Sequence, residues 1–104
     1  MYNVVKRDGK LANFDLTKIS DAIKQAFDAC SRQYNDDIID FLALKVTAEF
    51  APQLEDMKIG VEHIQDSVES VLIKAGYSDV AKAYIVYRRQ REKIRNISAT
   101  MVDY

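Results

Sequence analysis

Apolar positions recur with a helical spacing in four segments of this chain, separated by short polar intervals. In the first, Leu16, Ile19, Ile23, Ala26, Phe27 and Cys30 follow a period of about 3.6 residues, which predicts an amphipathic helix. Asp15 stands just before it, where a carboxylate can accept hydrogen bonds from the amides of the first turn. The period fails over Ser31 to Asn35, predicting a loop, and Asp36-Asp37 are candidate caps for the next helix. That helix, Ile38 to Ala51, is apolar over a wider arc that includes Phe41, Leu42, Leu44, Val46 and Phe50, so it is expected to be the most buried. Pro52 ends it, because proline disfavours the α conformation in the residue before it and has no amide to donate. The third helix runs from Val61 to Ala75 with Ile64, Val68, Val71 and Leu72 on one side and Gly76 as a left-handed stop. Ser78 is the expected cap of the fourth, whose face carries Val80, Ala83, Tyr84, Tyr87 and Ile94.

Ahead of the first helix, Val4-Val5 and Leu11-Ala12 flank Asp8-Gly9, a two-residue hairpin signal. A type I′ turn there pairs Arg7 with Lys10, Lys6 with Leu11, Val5 with Ala12 and Val4 with Asn13. It puts Val5, Ala12 and Phe14 on one face with Arg7 and Lys10. A two-stranded hairpin is marginal alone and must lie on something. Met57-Lys58-Ile59-Gly60 is too short for a helix and is read as a third small strand. The expected fold is α+β: a β-hairpin, or a three-stranded sheet, lying as a lid over a four-helix bundle.

The cations of this region are where chemistry enters. Lys6, Arg7, Lys10 and Lys18 fall within the stretch Val4 to Ile19. Lys18 is placed against the positive end of the helix dipole, an unfavourable position worth roughly a few tenths of a kcal/mol. Two readings account for it. In one, Lys18 pairs with Asp15 or Asp21 on the surface. In the other, Lys6, Arg7 and Lys18 converge with free amides of the helix N-terminus on an anion such as a polyphosphate. The later cations Arg88, Arg89, Arg91, Lys93 and Arg95 complement the negative end of the fourth helix and read as a solvated face. Arg88 is set apart, because it follows Tyr84 by one turn and is carried toward the hairpin if Tyr84 points inward.

Three ordered blocks resemble a known family. Val5-Lys6-Arg7-Asp8-Gly9 with Phe14-Asp15 and Lys18-Ile19, then Val61 to Glu69, then Val80 to Arg88, are similar to the ATP-cone, a nucleotide-sensing domain of ribonucleotide reductases. Of these enzymes the anaerobic, class III ribonucleoside-triphosphate reductase is the one it looks most like. The resemblance implies a nucleotide-binding domain over residues 1–95 and a linker, 96–104, toward a catalytic domain of the same longer chain. It implies ATP or dATP as allosteric ligand, with Mg2+ as an optional companion, and a homo-oligomer that depends on the nucleotide. The site residues it suggests are Lys6, Arg7, Lys18 and Arg88 for phosphates, and Val5 and Ile19 for base or ribose. Val61 and Gln65, at the start of the third helix, are expected to line the nucleotide site as well. The family often has a hydroxyl-bearing residue where Val61 stands, so this chain departs from the pattern and loses one side-chain hydrogen bond there.

Composition narrows the alternatives. With 104 residues, 48% hydrophobic and 30% charged, the chain supports one ordinary globular domain. Lys+Arg 15 against Asp+Glu 16 leaves a formal net charge of -1, so the global field does not attract a nucleic-acid backbone. A nucleic-acid module, motivated by Tyr84, Tyr87 and the arginines beyond them, is therefore one alternative; a helical protein-protein interaction module is another. Cys30 is the single cysteine and His63 the single histidine, which leaves no metal cluster, and the three glycines form no Walker loop. No nucleophile and base pair suggests an enzyme. No stretch is apolar enough for a membrane span or a signal peptide, so the expected location is the cytoplasm.

Overall fold

The computed structural model describes the backbone from Tyr2 to Val102 and the side chains through Lys93. Its elements are β1 (Asn3–Val5), β2 (Leu11–Asn13), α1 (Leu16–Ala29), α2 (Asp36–Phe50), a single 3-10 turn (Ala51–Gln53), β3 (Lys58–Gly60), α3 (Val61–Lys74) and α4 (Ser78–Val102). The three strands form one sheet in the order β2-β1-β3, with β1 antiparallel to β2 and parallel to β3. The architecture is the expected α+β one, in its three-stranded form. The helices close a ring in which α1 packs on α2 and α4, and α3 packs on the same two. Ile23, Phe27, Ile39, Leu42, Val68, Leu72 and Val80 form its core.

The hairpin differs from the expected one by a single residue. Val4 pairs with Ala12 and Val5 with Leu11, and the loop has three residues, Arg7 to Gly9. Lys6 closes it, its N–H donating to the Lys10 carbonyl at 2.8 Å and its carbonyl accepting from Gly9 N–H at 2.9 Å. The type I′ turn needs positive φ at Asp8 as well as Gly9, whereas a type I turn followed by a glycine bulge needs it only at Gly9, which has φ 85°. Asp8 gains from this arrangement, since its carboxylate accepts the Lys10 amide at 2.9 Å. The side-chain period of a strand is two, so the slip exchanges the faces: Val4, not Val5, shares a face with Ala12.

Other corrections concern helix ends and exposure. Asn35, not Asp36 or Asp37, caps α2, accepting from Ile38 N–H at 2.9 Å. The α2 helix carries the deeply buried Ile39, Leu42, Ala43, Val46 and Phe50, but the outer part of its apolar arc, Leu44 and Phe41, the latter 56% exposed, faces solvent. The backbone of α4 is helical from Ser78 to Val102. The side chains of Ile94 and Arg95, and of the expected linker, lie outside the described residues. At the end of α3 the expected stop is present: Gly76 has φ 89°, and Tyr77 N–H reaches back to the Leu72 carbonyl at 2.9 Å. Cys30 is half-buried at the end of α1, its thiol donating to the Ala26 carbonyl at 3.4 Å.

An aromatic cluster fixes the sheet on the bundle. Phe50, fully buried at the last position of α2, meets the rings of Tyr2 at 5.9 Å and Phe14 at 5.8 Å, and those two meet at 4.6 Å. Ahead of β3 the chain makes a tight turn in which Glu55 and Lys58 exchange both backbone hydrogen bonds, at 3.0 and 2.9 Å. Its central residues, Asp56 and Met57, have φ 52° and 61°, a left-handed conformation that L side chains adopt at a cost. Met57 is 55% exposed and packs little. Met57→Gly therefore stabilises the protein by roughly 0.5–1 kcal/mol, once the greater freedom of glycine in the unfolded chain is offset. A rise in the urea midpoint with unchanged slope is the expected result.

Candidate functional site

Between sheet and helices lies a cleft of about 300 Å³, a size at the lower end of small-molecule sites. Each of its walls follows from a local pattern. Strand alternation brings Val4 and Lys6 to the sheet side with Ala12. The start of α1 contributes Asp15, Lys18, Ile19 and Ala22; α3 contributes Val61, Ile64, Gln65 and Val68 at helical spacing. Helical spacing on α4 likewise aligns Tyr84, Tyr87, Arg88 and Arg91. The floor is apolar, formed by Ile19, Ile64, Val68 and Tyr84. Burial pushes the Tyr84 phenol up to about 12, so it stays a neutral hydroxyl.

Of the eight residues suggested from the sequence, the cleft brings together Lys6, Lys18, Ile19, Val61, Gln65 and Arg88. It leaves out Val5 and Arg7. Val5 is turned away by the register of the hairpin, and Val4 takes its place. Arg7 sits in the loop and reaches over the rim. Its guanidinium donates to Glu62 at 3.1 Å, to Gln65 Oε1 at 3.2 Å and to Glu92 at 3.4 Å, and its side chain is 24% exposed.

The cations divide into two groups. Arg88 is tied to Asp66 at 3.0 Å and Glu69 at 2.9 Å. Burial works against its charge, but these hydrogen bonds outweigh it and hold Arg88 above its ordinary value. Among the described residues, Lys6, Lys18 and Arg91 make no ion pair. Lys18 thus pairs with neither Asp15 nor Asp21. Arg91, grouped from the sequence with the solvated face, lies over the Tyr87 ring at 5.9 Å and lines the cleft. Its spacing was the available signal, since it falls seven residues after Tyr84 on the same helical face.

The start of α1 is less open than expected. Asp15 accepts from Thr17 N–H at 3.0 Å and from the Thr17 hydroxyl, and these hydrogen bonds hold its carboxyl below the usual range. The Lys18 amide is directed to the Asp15 carbonyl at 3.2 Å. An anion here would meet the lysine side chain more readily than helix amides. The start of α3 is different: its cap, Gly60, has no side chain to offer, and Val61 begins the helix at the cleft wall. Among the described residues no three His, Cys, Asp or Glu come together as a metal site, and no helix is long and apolar enough to cross a membrane.

Comparison with known proteins agrees with this layout. The sequence matches the ATP cone domain over residues 2–93. The ribonucleoside-diphosphate reductase subunit alpha of Chlamydia pneumoniae is 38% identical over 99 residues, covering 88% of this chain and 9% of that protein. The vitamin B12-dependent ribonucleoside-diphosphate reductase of Thermoplasma acidophilum is 41% identical over 98 residues, covering 88% and 12%. The anaerobic ribonucleoside-triphosphate reductase of Haemophilus influenzae is 33% identical over 97 residues, covering 90% and 13%. These are three kinds of reductase, so the similarity does not single out the anaerobic one, and the chain spans only 9% to 13% of the length of each. The matched segment contains every residue that lines the cleft, and the chain belongs to the ATP-cone family.

Proposed function

We propose that the cleft binds ATP or dATP and that occupancy regulates a ribonucleotide reductase of which this chain is the regulatory domain. One observation carries the proposal: three cations without carboxylate partners among the described residues, Lys6 after β1, Lys18 on α1 and Arg91 on α4, reach one apolar-floored cleft. Phosphates fit among these cations, and base and ribose fit against Ile19, Ile64 and Val68. Charge-assisted hydrogen bonds to phosphate are the strong kind, and excluding water from the apolar floor strengthens them. A Mg2+ arriving with the triphosphate would take phosphate oxygens and water as ligands, with Asp15 the carboxylate at hand on the lining. Arg88 supports the wall through its ion pairs, and Val61 contributes packing where a hydroxyl would contribute a hydrogen bond.

In this reading the catalytic domain belongs to the same longer chain, and residues 96–104 lead toward it. Regulation requires unequal affinity of the ligand for two states or two assemblies, since equal affinity shifts nothing. A nucleotide-dependent homo-oligomer is one such pair of states. The domain itself binds without hydrolysis, and its location is the cytoplasm. Calorimetric titration with ATP and dATP tests the proposal. Saturable heat without phosphate release is expected; no heat at millimolar nucleotide overturns the binding, and steady phosphate release overturns the regulatory role.

A further inference from the structure

Arg7 occupies an unusual position, because a single guanidinium at the tip of the hairpin joins the first turn of α3, through Glu62, to the far part of α4, through Glu92. Its third acceptor, Gln65, lines the cleft. The guanidinium therefore stands one hydrogen bond away from whatever enters there. A second depression, whose lining includes Arg7 and Glu62, shares Lys6 and Val61 with the cleft.

We propose that Glu62 and Glu92 are built-in competitors of the anionic ligand for Arg7, so that an occupied cleft releases the tie between hairpin and α4. This deepens the nucleotide reading and rests on it. A polyphosphate carries several negative charges and many acceptor oxygens, whereas each glutamate offers one charge. The weaker tie is the one to Glu92, which is the longer at 3.4 Å and whose side chain is 50% exposed. It gives way first. What it releases is the stretch of α4 just before Lys93, which continues as helix to Val102. Ligand binding is thereby converted into a change in what restrains α4, without movement of the buried core.

Four proteins test this: the parent, Arg7→Ala, Glu92→Gln and the double variant, each titrated with ATP and melted with and without saturating ATP. Removing the competitor raises ATP affinity roughly two- to five-fold where Arg7 is present, the range of an exposed ion pair. It leaves affinity unchanged where position 7 is alanine. Without ligand, the two substitutions are non-additive in melting temperature by roughly 1–4 °C; with saturating ATP they become additive. Equal affinity gains in both backgrounds overturn the inference, because Glu92 then acts only as a negative charge near the ligand. No gain in either, or additive melting without ligand, also overturns it. If the parent binds no ATP, the nucleotide reading fails and this inference falls with it.

Discussion

Lys18→Glu lowers ATP affinity at least tenfold, about 1.4 kcal/mol, while leaving the empty protein as stable as the parent or slightly more so. The two effects have opposite signs because the residue is misplaced for the helix and well placed for the ligand. Lys18 stands in the first turn of α1, exposed, on the wall of the cleft and without an ion pair among the described residues. A carboxylate there meets the positive end of the helix dipole, a gain of roughly a few tenths of a kcal/mol. Asp15 and Asp21 reduce that gain by repulsion. With ligand present, an attraction to phosphate becomes a repulsion. Melting curves of both proteins, with and without saturating ATP, separate the two effects. A variant that keeps the full ATP-induced stabilisation would show Lys18 to be an ordinary surface lysine and the phosphate site to lie elsewhere.

Phe50→Ala is expected to cost about 3–5 kcal/mol of stability, a large share of what a domain of this size possesses. The ring is fully buried and touches both Tyr2 and Phe14, so its loss opens a cavity under the sheet. The loss extends to binding. Lys6 directly follows β1, and Tyr2 directly precedes it, so loosening Tyr2 loosens the strand that presents Lys6 to the cleft. Urea unfolding with and without ATP measures both consequences: a lower midpoint, and a smaller stabilisation by ligand. Phe41→Ala is the control, since that ring is mostly in solvent and its loss costs about 0.5 kcal/mol or less. Similar losses for the two variants would mean that the aromatic cluster does not anchor the sheet.

Much of this architecture is legible in the sequence because periodicity is a direct record of burial. The stripes of α1 and α3, the glycine stop after α3 and the third strand before it each follow from a few residues whose types leave little choice. The register of the hairpin is harder, because Asp8-Gly9 satisfies two turn geometries that differ by one residue. That difference alone exchanges Val5 for Val4 in the cleft. Charge is harder still. Arg7 and Lys18 look alike along the chain, yet the acceptors of Arg7 lie 55, 58 and 85 residues away, and only packing brings them to it. Arg91 was legible in principle, since its helical face is that of Tyr84, but the run of cations around it invited a reading as solvated surface. Exposure at Phe41 depends on α2 having no neighbour on its outer side, which is a property of the ring of helices and not of any one segment.

The parallel pairing of β1 with β3 has a consequence for how the molecule is made. Asn3 donates its amide to the Met57 carbonyl at 2.9 Å, and β1 lies between a strand eight residues later and one that begins at Lys58. Of the three strands of this sheet β1 is synthesised first, and it is held on one edge only until α1, α2 and β3 have followed it. Closing so long a loop is an entropic cost that local helix formation does not carry. The helices α1 and α2 can collapse early, Phe50 arrives with the end of α2, and the sheet is completed when β3 docks beside β1. The last wall of the cleft, the face of α4 with Tyr84 and Arg91, is synthesised later still. A nascent chain thus has no complete cleft to offer a ligand until the whole domain is present, which makes nucleotide recognition a property of the finished molecule alone.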